Sequence, residues 1–293
     1  MRTRLLLPLL VLSGCALDAG EGFAVLEPTV RVGYTPLPSR DAGNGFQRLA
    51  SDYQVRLDAA ALGVDHVALL TAGSSGGGGG GSGGTFDPAN PPPGYSLCHN
   101  GHCHRDDGAL VDYEDIQAEL NGGGGSAPTT VAALHVDAEL DLLAPETRAP
   151  ECEPDCELPR GTVTRARWDV TALRLQGVVR DSRATPRLPG ELPFLLDLAV
   201  EGGEGEEEES EPLVTVNGAL DLPSDRENKP RVKLALALLM TPALFDGLDW
   251  ASATPGADGV VDLGATENEA LRRELLEAVA ELEPEAEVQR EDR

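Results

Sequence analysis

The sequence predicts an all-β fold, an antiparallel β-sandwich or barrel carrying a long inserted loop and a C-terminal α-helix. Three observations point there. Short apolar segments with two-residue alternation recur along the chain, separated by Gly, Pro and Asp turns. A sustained helical apolar period appears near the C-terminus. Between two glycine runs lies a segment rich in cysteine and histidine that matches neither period.

The first strand-like segments are Phe23-Ala24-Val25-Leu26 and Val30-Arg31-Val32. Tyr53 to Asp58 alternates apolar and polar residues, and Val64 to Leu70 continues as a second apolar strand. The clearest pattern is Val131 to Leu142. There Ala132, Leu134, Val136, Ala138, Leu140 and Leu142 face one way, and His135, Asp137, Glu139 and Asp141 the other. Thr162 to Leu175, Leu192 to Val200, Leu213 to Leu220 and Arg231 to Met240 complete the strands. Such a succession suits a sandwich or barrel. Aromatic residues make up only 4%, so the core must be built from Leu, Val and Ala. The domain is expected over residues 23–265, with an inserted cassette at 73–126.

In the C-terminal segment 266–293, Thr266 and Glu269 have capping-box spacing, and Leu271, Leu275, Val279 and Leu282 recur at helical intervals. Pro284 ends the pattern, leaving an acidic tail expected to fray. The helix is expected to pack on the rim of the sandwich.

The formal net charge is -27. Such a field repels phosphate backbones and argues against nucleic-acid binding, while cations are its natural counterparts. Glu201 to Glu211 is an acidic run between two apolar strands and reads as a solvated hairpin loop.

The N-terminus reads MRTRLLLPLLVLSGC. Arg2 and Arg4 precede the apolar run Leu5 to Leu12, which is far below the ~20 residues that span a bilayer. Leu12-Ser13-Gly14-Cys15 resembles the lipobox of bacterial lipoproteins. The resemblance implies a signal peptide at 1–14, lipidation of Cys15 and a tether at 15–22. It places the protein in a bacterial cell envelope, anchored to the membrane by lipid. Ala16, where an Asp would signal retention, favours the outer membrane, on its periplasmic or surface face.

The cassette is flanked by GSSGGGGGGSGG at 73–84 and NGGGGS at 121–126, both linkers by composition. Proline-rich Phe86 to Gly94 leads into Cys98-His99-Asn100-Gly101-His102-Cys103-His104, and Val111 to Leu120 has the pattern of a short helix capped by Asp112. Three of the chain's five histidines fall here. If the imidazoles of His99, His102 and His104 converge, they suit a transition metal ion, zinc or copper above nickel, with Asp106 as a carboxylate ligand. Cys98 and Cys103 would join as thiolates only if reduced. In an oxidising envelope they are expected to bond each other. Two other readings stand beside this one. In the first, the disulfide-stapled loop is a contact element of a structural or partner-binding surface lipoprotein. In the second, Cys98-x4-Cys103-His104 resembles the less common attachment motif of c-type cytochromes, which implies thioethers at both cysteines and His104 as axial haem ligand.

The second cysteine pair, Cys152 and Cys156, leaves the far end of the Val131–Leu142 strand. That strand spans about 40 Å at ~3.3 Å per residue, so bridges 98–103 and 152–156 are expected rather than cross-links. Acidic flanks disfavour a reactive thiol pair at 152 and 156. His135 is expected to be solvated beside Asp137, and His66, between Val64 and Ala68, to be a hydrogen-bonded core residue. No Ser/His/acid constellation, phosphate loop or H-E-x-x-H helix is present, so the sequence does not point to an enzyme.

Overall fold

The structure, a computed structural model, describes residues 24–71, 86–88, 91, 95–99, 102–105, 110–113, 116–117, 130–158, 163–200, 211–222 and 230–291. The strands in chain order are β1 Val25–Tyr34, β2 Gln47–Arg48, β3 Tyr53–Thr71, β4 Tyr95–His99, β5 His102–Arg105 and β6 Leu110–Asp112. Then come β7 Thr130–Asp141, β8 Thr147–Arg148, β9 Glu151–Glu153, β10 Val163–Asp181, β11 Leu192–Ala199 and β12 Val214–Leu222. β13 Arg231–Met240, β14 Val261–Asp262, helix α1 Glu269–Ala280 and β15 Glu285–Glu291 complete the chain. The fold is largely β-stranded, with two packed sheets and a C-terminal helix.

The larger sheet runs β14-β11-β10-β3-β7-β9, with β2 added to β3 and β12 to β10. Its spine is the antiparallel pair β3–β10, two strands of 19 residues each. β12 lines the first half of the other edge of β10, and β11 lines the second half. The smaller sheet runs β15-β13-β1-β8. Val30, Val32, Leu234, Leu236 and Leu238 of the smaller sheet share one core with Val67, Leu69, Leu134, Trp168, Leu173 and Leu196 of the larger. Leu, Val and Ala fill most of this core. Three aromatics meet at one end, where the Phe194 ring lies 5.0 Å from Trp250 and 6.0 Å from Phe245, and Trp168 is buried nearer the other end of β10.

Several expectations are corrected. Two predicted strands, 53–58 and 64–70, are one continuous strand, β3. The first two segments likewise merge into β1, despite Pro28. Pairing is not purely antiparallel, because β1–β13 and β11–β14 run parallel. The capping box does not form. Thr266–Asn268 makes a 3-10 turn, and the Asn268 side chain bonds Thr254 and the Asp262 carbonyl instead of capping α1. Leu271, Leu275 and Val279 are the buried stripe of α1, as the helical period predicts, while Leu282 lies beyond the helix. The acidic tail after Pro284 pairs with β13 as the edge strand β15. Its charged side chains face solvent, which suits an edge. The linkers at 73–84 and 121–126, the acidic run 201–210 and residues 1–23 lie outside the described residues.

One glycine is required by the spine. A Cβ on Gly177 of β10 would overlap the Arg56 carbonyl of β3 and lie 2.9 Å from the Phe194 ring. Both neighbours are held by the sheet, so Gly177→Ala is expected to cost about 2–4 kcal/mol. Denaturant unfolding of the variant checks this, with a lowered midpoint and an unchanged slope as the expected result.

Candidate functional site

The cassette folds around its own staple. β4, β5 and β6 form a separate three-stranded antiparallel sheet. The register sets Cys98 opposite Cys103 and His99 opposite His102, so the chain reverses within CHNGHCH. The two sulfurs are bonded at 2.01 Å, with Cα atoms 4.0 Å apart. Cys103 and Ile116 are fully buried, the Phe86 and Tyr113 rings lie 5.1 Å apart, and the Phe86 amide donates to Gln117 Oε1 at 2.5 Å. These contacts give the cassette a small interior that the covalent bridge supports, the usual solution for a unit too small for a core of its own. Of the predicted helix, Leu110–Asp112 is strand, and Tyr113, Ile116 and Gln117 are helical.

This arrangement corrects the metal reading. Among the described residues, no group of three or more His, Cys, Asp or Glu side chains can hold a metal ion. Cys98 and Cys103 are bonded to each other and offer no thiolate to zinc, copper or nickel. The imidazoles of His99, His102 and His104, and all of Asp106, lie outside the described residues. The same bridge joins the two sulfurs that the haem reading would use as thioethers. What remains of CHNGHCH is a stapled hairpin.

The second staple has a different task. Cys152 and Cys156 are bonded at 1.97 Å. Cys152 sits in β9 opposite Leu134 of β7, on the edge of the larger sheet. The Cys156 carbonyl accepts from the Leu26 amide of β1 at 2.8 Å, and the Leu158 amide donates to the Ala24 carbonyl. Upstream, β8 pairs with β1 through Val30 and Arg31. Segment 142–158 therefore touches both sheets, and its disulfide bolts the edge of one to the edge of the other.

Beside this bolt lies a cluster that the sequence pattern does not reveal. Register shifts occur on β3 against β10 between Trp168 and Val170, and against β7 between Val64 and His66. They mark β-bulges, which re-aim side chains. Leu62 and Val64 point to the core before the shift, and Val67 and Leu69 after it. Asp137 of β7, opposite the shift, takes the left-handed backbone with φ 42°. The bulges bring Asp65, His66, His135 and Asp137 together on one face.

His66 is held between two carboxylates. Its Nδ1 lies 2.9 Å from Asp65 and its Nε2 3.1 Å from Asp169, which also accepts from Arg167 at 3.2 Å. With both ring nitrogens facing acceptors, the cationic form is favoured. The hydrogen bond to Asp169, then that to Asp65, push its pKa up to about 9 against the opposing effect of burial. The His135 ring stands 5.8 Å from that of His66, and its Nε2 lies 2.8 Å from Glu153 of the bolt. Burial and the adjoining Asp65 push the Asp137 carboxyl up; Asp65, although burial opposes it, is held below the usual carboxylate range by its hydrogen bond from His66 and by the neighbouring Asp137. Each histidine nitrogen engaged at hydrogen-bond distance faces a carboxylate, which leaves the pair with internal partners.

His135 is thus only half-exposed and tied to Glu153 rather than solvated. His66 is hydrogen-bonded as expected, but the bulge turns it away from the core face of Val64. The signal that could have located this cluster is the odd spacing of buried residues around Asp65, which breaks the two-residue period.

No protein-family model matches the chain, and neither a curated protein nor a solved structure is similar to it.

The His66 geometry makes a pH prediction. Its folded pKa of about 9 lies above the unfolded 6.5, so the stabilisation is complete below about pH 6.5 and is lost as pH rises through about 9. Wild-type protein is expected to lose on the order of 2 kcal/mol across that window. In His66→Gln that slope disappears, which denaturant titrations at several pH values measure.

Proposed function

We propose that the protein is a lipid-anchored lipoprotein of a bacterial envelope, built on a β-sandwich, that uses its stapled hairpin as a contact element for a protein partner. The observation that carries the reading is the Cys98–Cys103 bond across registered strands, which closes CHNGHCH as a rigid hairpin with its own small sheet. A preformed hairpin loses little conformational freedom on binding, which favours a contact role. Glycine runs flank it in the sequence, a composition that suits linkers. Both disulfides fit an oxidising compartment.

The anchor rests on Leu12-Ser13-Gly14-Cys15, with residues 1–14 as signal peptide and 15–22 as tether. Ala16 points to the outer membrane. Among the described residues, no helix is long and apolar enough to cross a membrane. The reading assigns no catalysis to the chain: it is a structural or binding protein whose partner is a protein.

Two measurements test it. A photo-reactive residue at Tyr95, introduced in the producing cell, is expected to give a discrete cross-linked species. That species should disappear in Cys98→Ser/Cys103→Ser while the main unfolding transition is retained. An absent cross-link, or one indifferent to the staple, contradicts the contact role. Independently, Cys15→Ala is expected to abolish fatty-acid incorporation and release the protein from the membrane fraction. Continued lipid labelling of that variant contradicts the anchor.

A further inference from the structure

Three points of chain attachment fall at one end of the body. The first is Ala24, whose carbonyl accepts from the Leu158 amide, next to the pairing of Val25 with Arg231. The other two are Thr71, where the chain leaves β3 toward the cassette, and Thr130, where it returns in β7. Both sit at the same end of their strands, since Leu70 pairs with Thr130 and Thr71 with Val163. The bolt connects these places: Cys152 stands opposite Leu134, near the start of β7, and the Cys156 carbonyl meets Leu26 of β1. The opposite end of the body holds residues 37–49 and the turns after β10 and β13, where Arg183 meets Asp52 and Arg40 meets Asp246. The 19 residues of β3 separate the two ends by about 60 Å. Fully extended, the chain from Gln117 to Thr130 spans at most about 45 Å, so Gln117 cannot reach the far end.

We infer that the stapled hairpin is presented on the membrane side of the body, and that its partner is a protein embedded in the membrane that holds the anchor. The inference rests on the anchor and the contact role proposed above, and adds where the contact is made and with what. From the lipidated Cys15 to Ala24 the chain spans at most about 30 Å, so the end with the three attachments is the end kept near the bilayer. An embedded partner shares that layer, which raises its effective concentration at the hairpin. The lipid surface itself is a poor partner. Glu151, Glu153, Asp155 and Glu157 are all exposed at this end, and their charge opposes contact with anionic headgroups. A partner free in solution would meet the hairpin equally well at any distance from the membrane.

Two measurements on the full-length, lipidated protein decide this, both with the photo-reactive residue at Tyr95. First, a site-specific protease site is placed between Ala16 and Gly22. After cross-linking and cleavage, the cross-linked species is expected to stay with carbonate-washed membranes while uncross-linked protein is released. Second, a helical spacer of about forty residues after Ala16 lifts the body by about 60 Å and leaves Leu12–Cys15 intact. The cross-linked fraction is expected to fall about tenfold, with fatty-acid labelling and the main unfolding transition retained. A cross-linked species released with the free protein overturns the inference, and so does a yield indifferent to the spacer. Absence of any cross-link in the unmodified tether, or of fatty acid on Cys15, contradicts the contact role or the anchor respectively, and the inference falls with it.

Discussion

The pairing of β3 with β10 is the constraint on which the rest of the structure depends. Two 19-residue strands run side by side, and most of the larger sheet is added to them. β7 extends the sheet from β3, while β11 and β12 share the far edge of β10. The same pairing sets the polar cluster, because strands this long accommodate their twist through bulges, and the bulges around Asp65 and Thr171 displace side chains from the regular alternation. A core poor in aromatics but rich in Leu and Val then seals the smaller sheet against this platform.

The two disulfides divide the remaining work. Cys98–Cys103 supports a unit with little interior of its own, a small sheet and a helical turn in which Cys103 and Ile116 are buried. Cys152–Cys156 acts where backbone pairing is short, at the edge where β9 meets β7 and the Cys156 carbonyl meets β1. Each bridge closes a loop between cysteines five or four residues apart, so its effect is local shape rather than long-range chain restriction. The histidines that first suggest metal chemistry divide accordingly. Three sit on the stapled hairpin, and two lie at hydrogen-bond distance from carboxylates around the bulge.

Much of the fold was legible in the alternation of single segments. Val131 to Leu142, Arg231 to Met240 and the stripe Leu271, Leu275, Val279 all read directly, because each buries one face against one neighbour. What the period could not show was continuity through a bulge. Asp65 and His66 interrupt the alternation, so one strand resembled two, and the residues that interrupt it were the ones that form the cluster. The parallel pairing of β1 with β13 was equally hidden, since a strand's pattern reports its buried face and not its partner's direction. For CHNGHCH, composition suggested ligands, whereas strand register decided the outcome: Cys98 and Cys103 stand opposite each other and consume one another's sulfur.

That register is the hinge of the account, and cysteine connectivity probes it most directly. Protein isolated from its native compartment without reductant is alkylated before and after reduction and mapped by mass spectrometry. The account predicts that Cys98, Cys103, Cys152 and Cys156 are all protected before reduction, linked as Cys98–Cys103 and Cys152–Cys156. Free, alkylated Cys98 and Cys103, or a bridge joining one pair to the other, would contradict it.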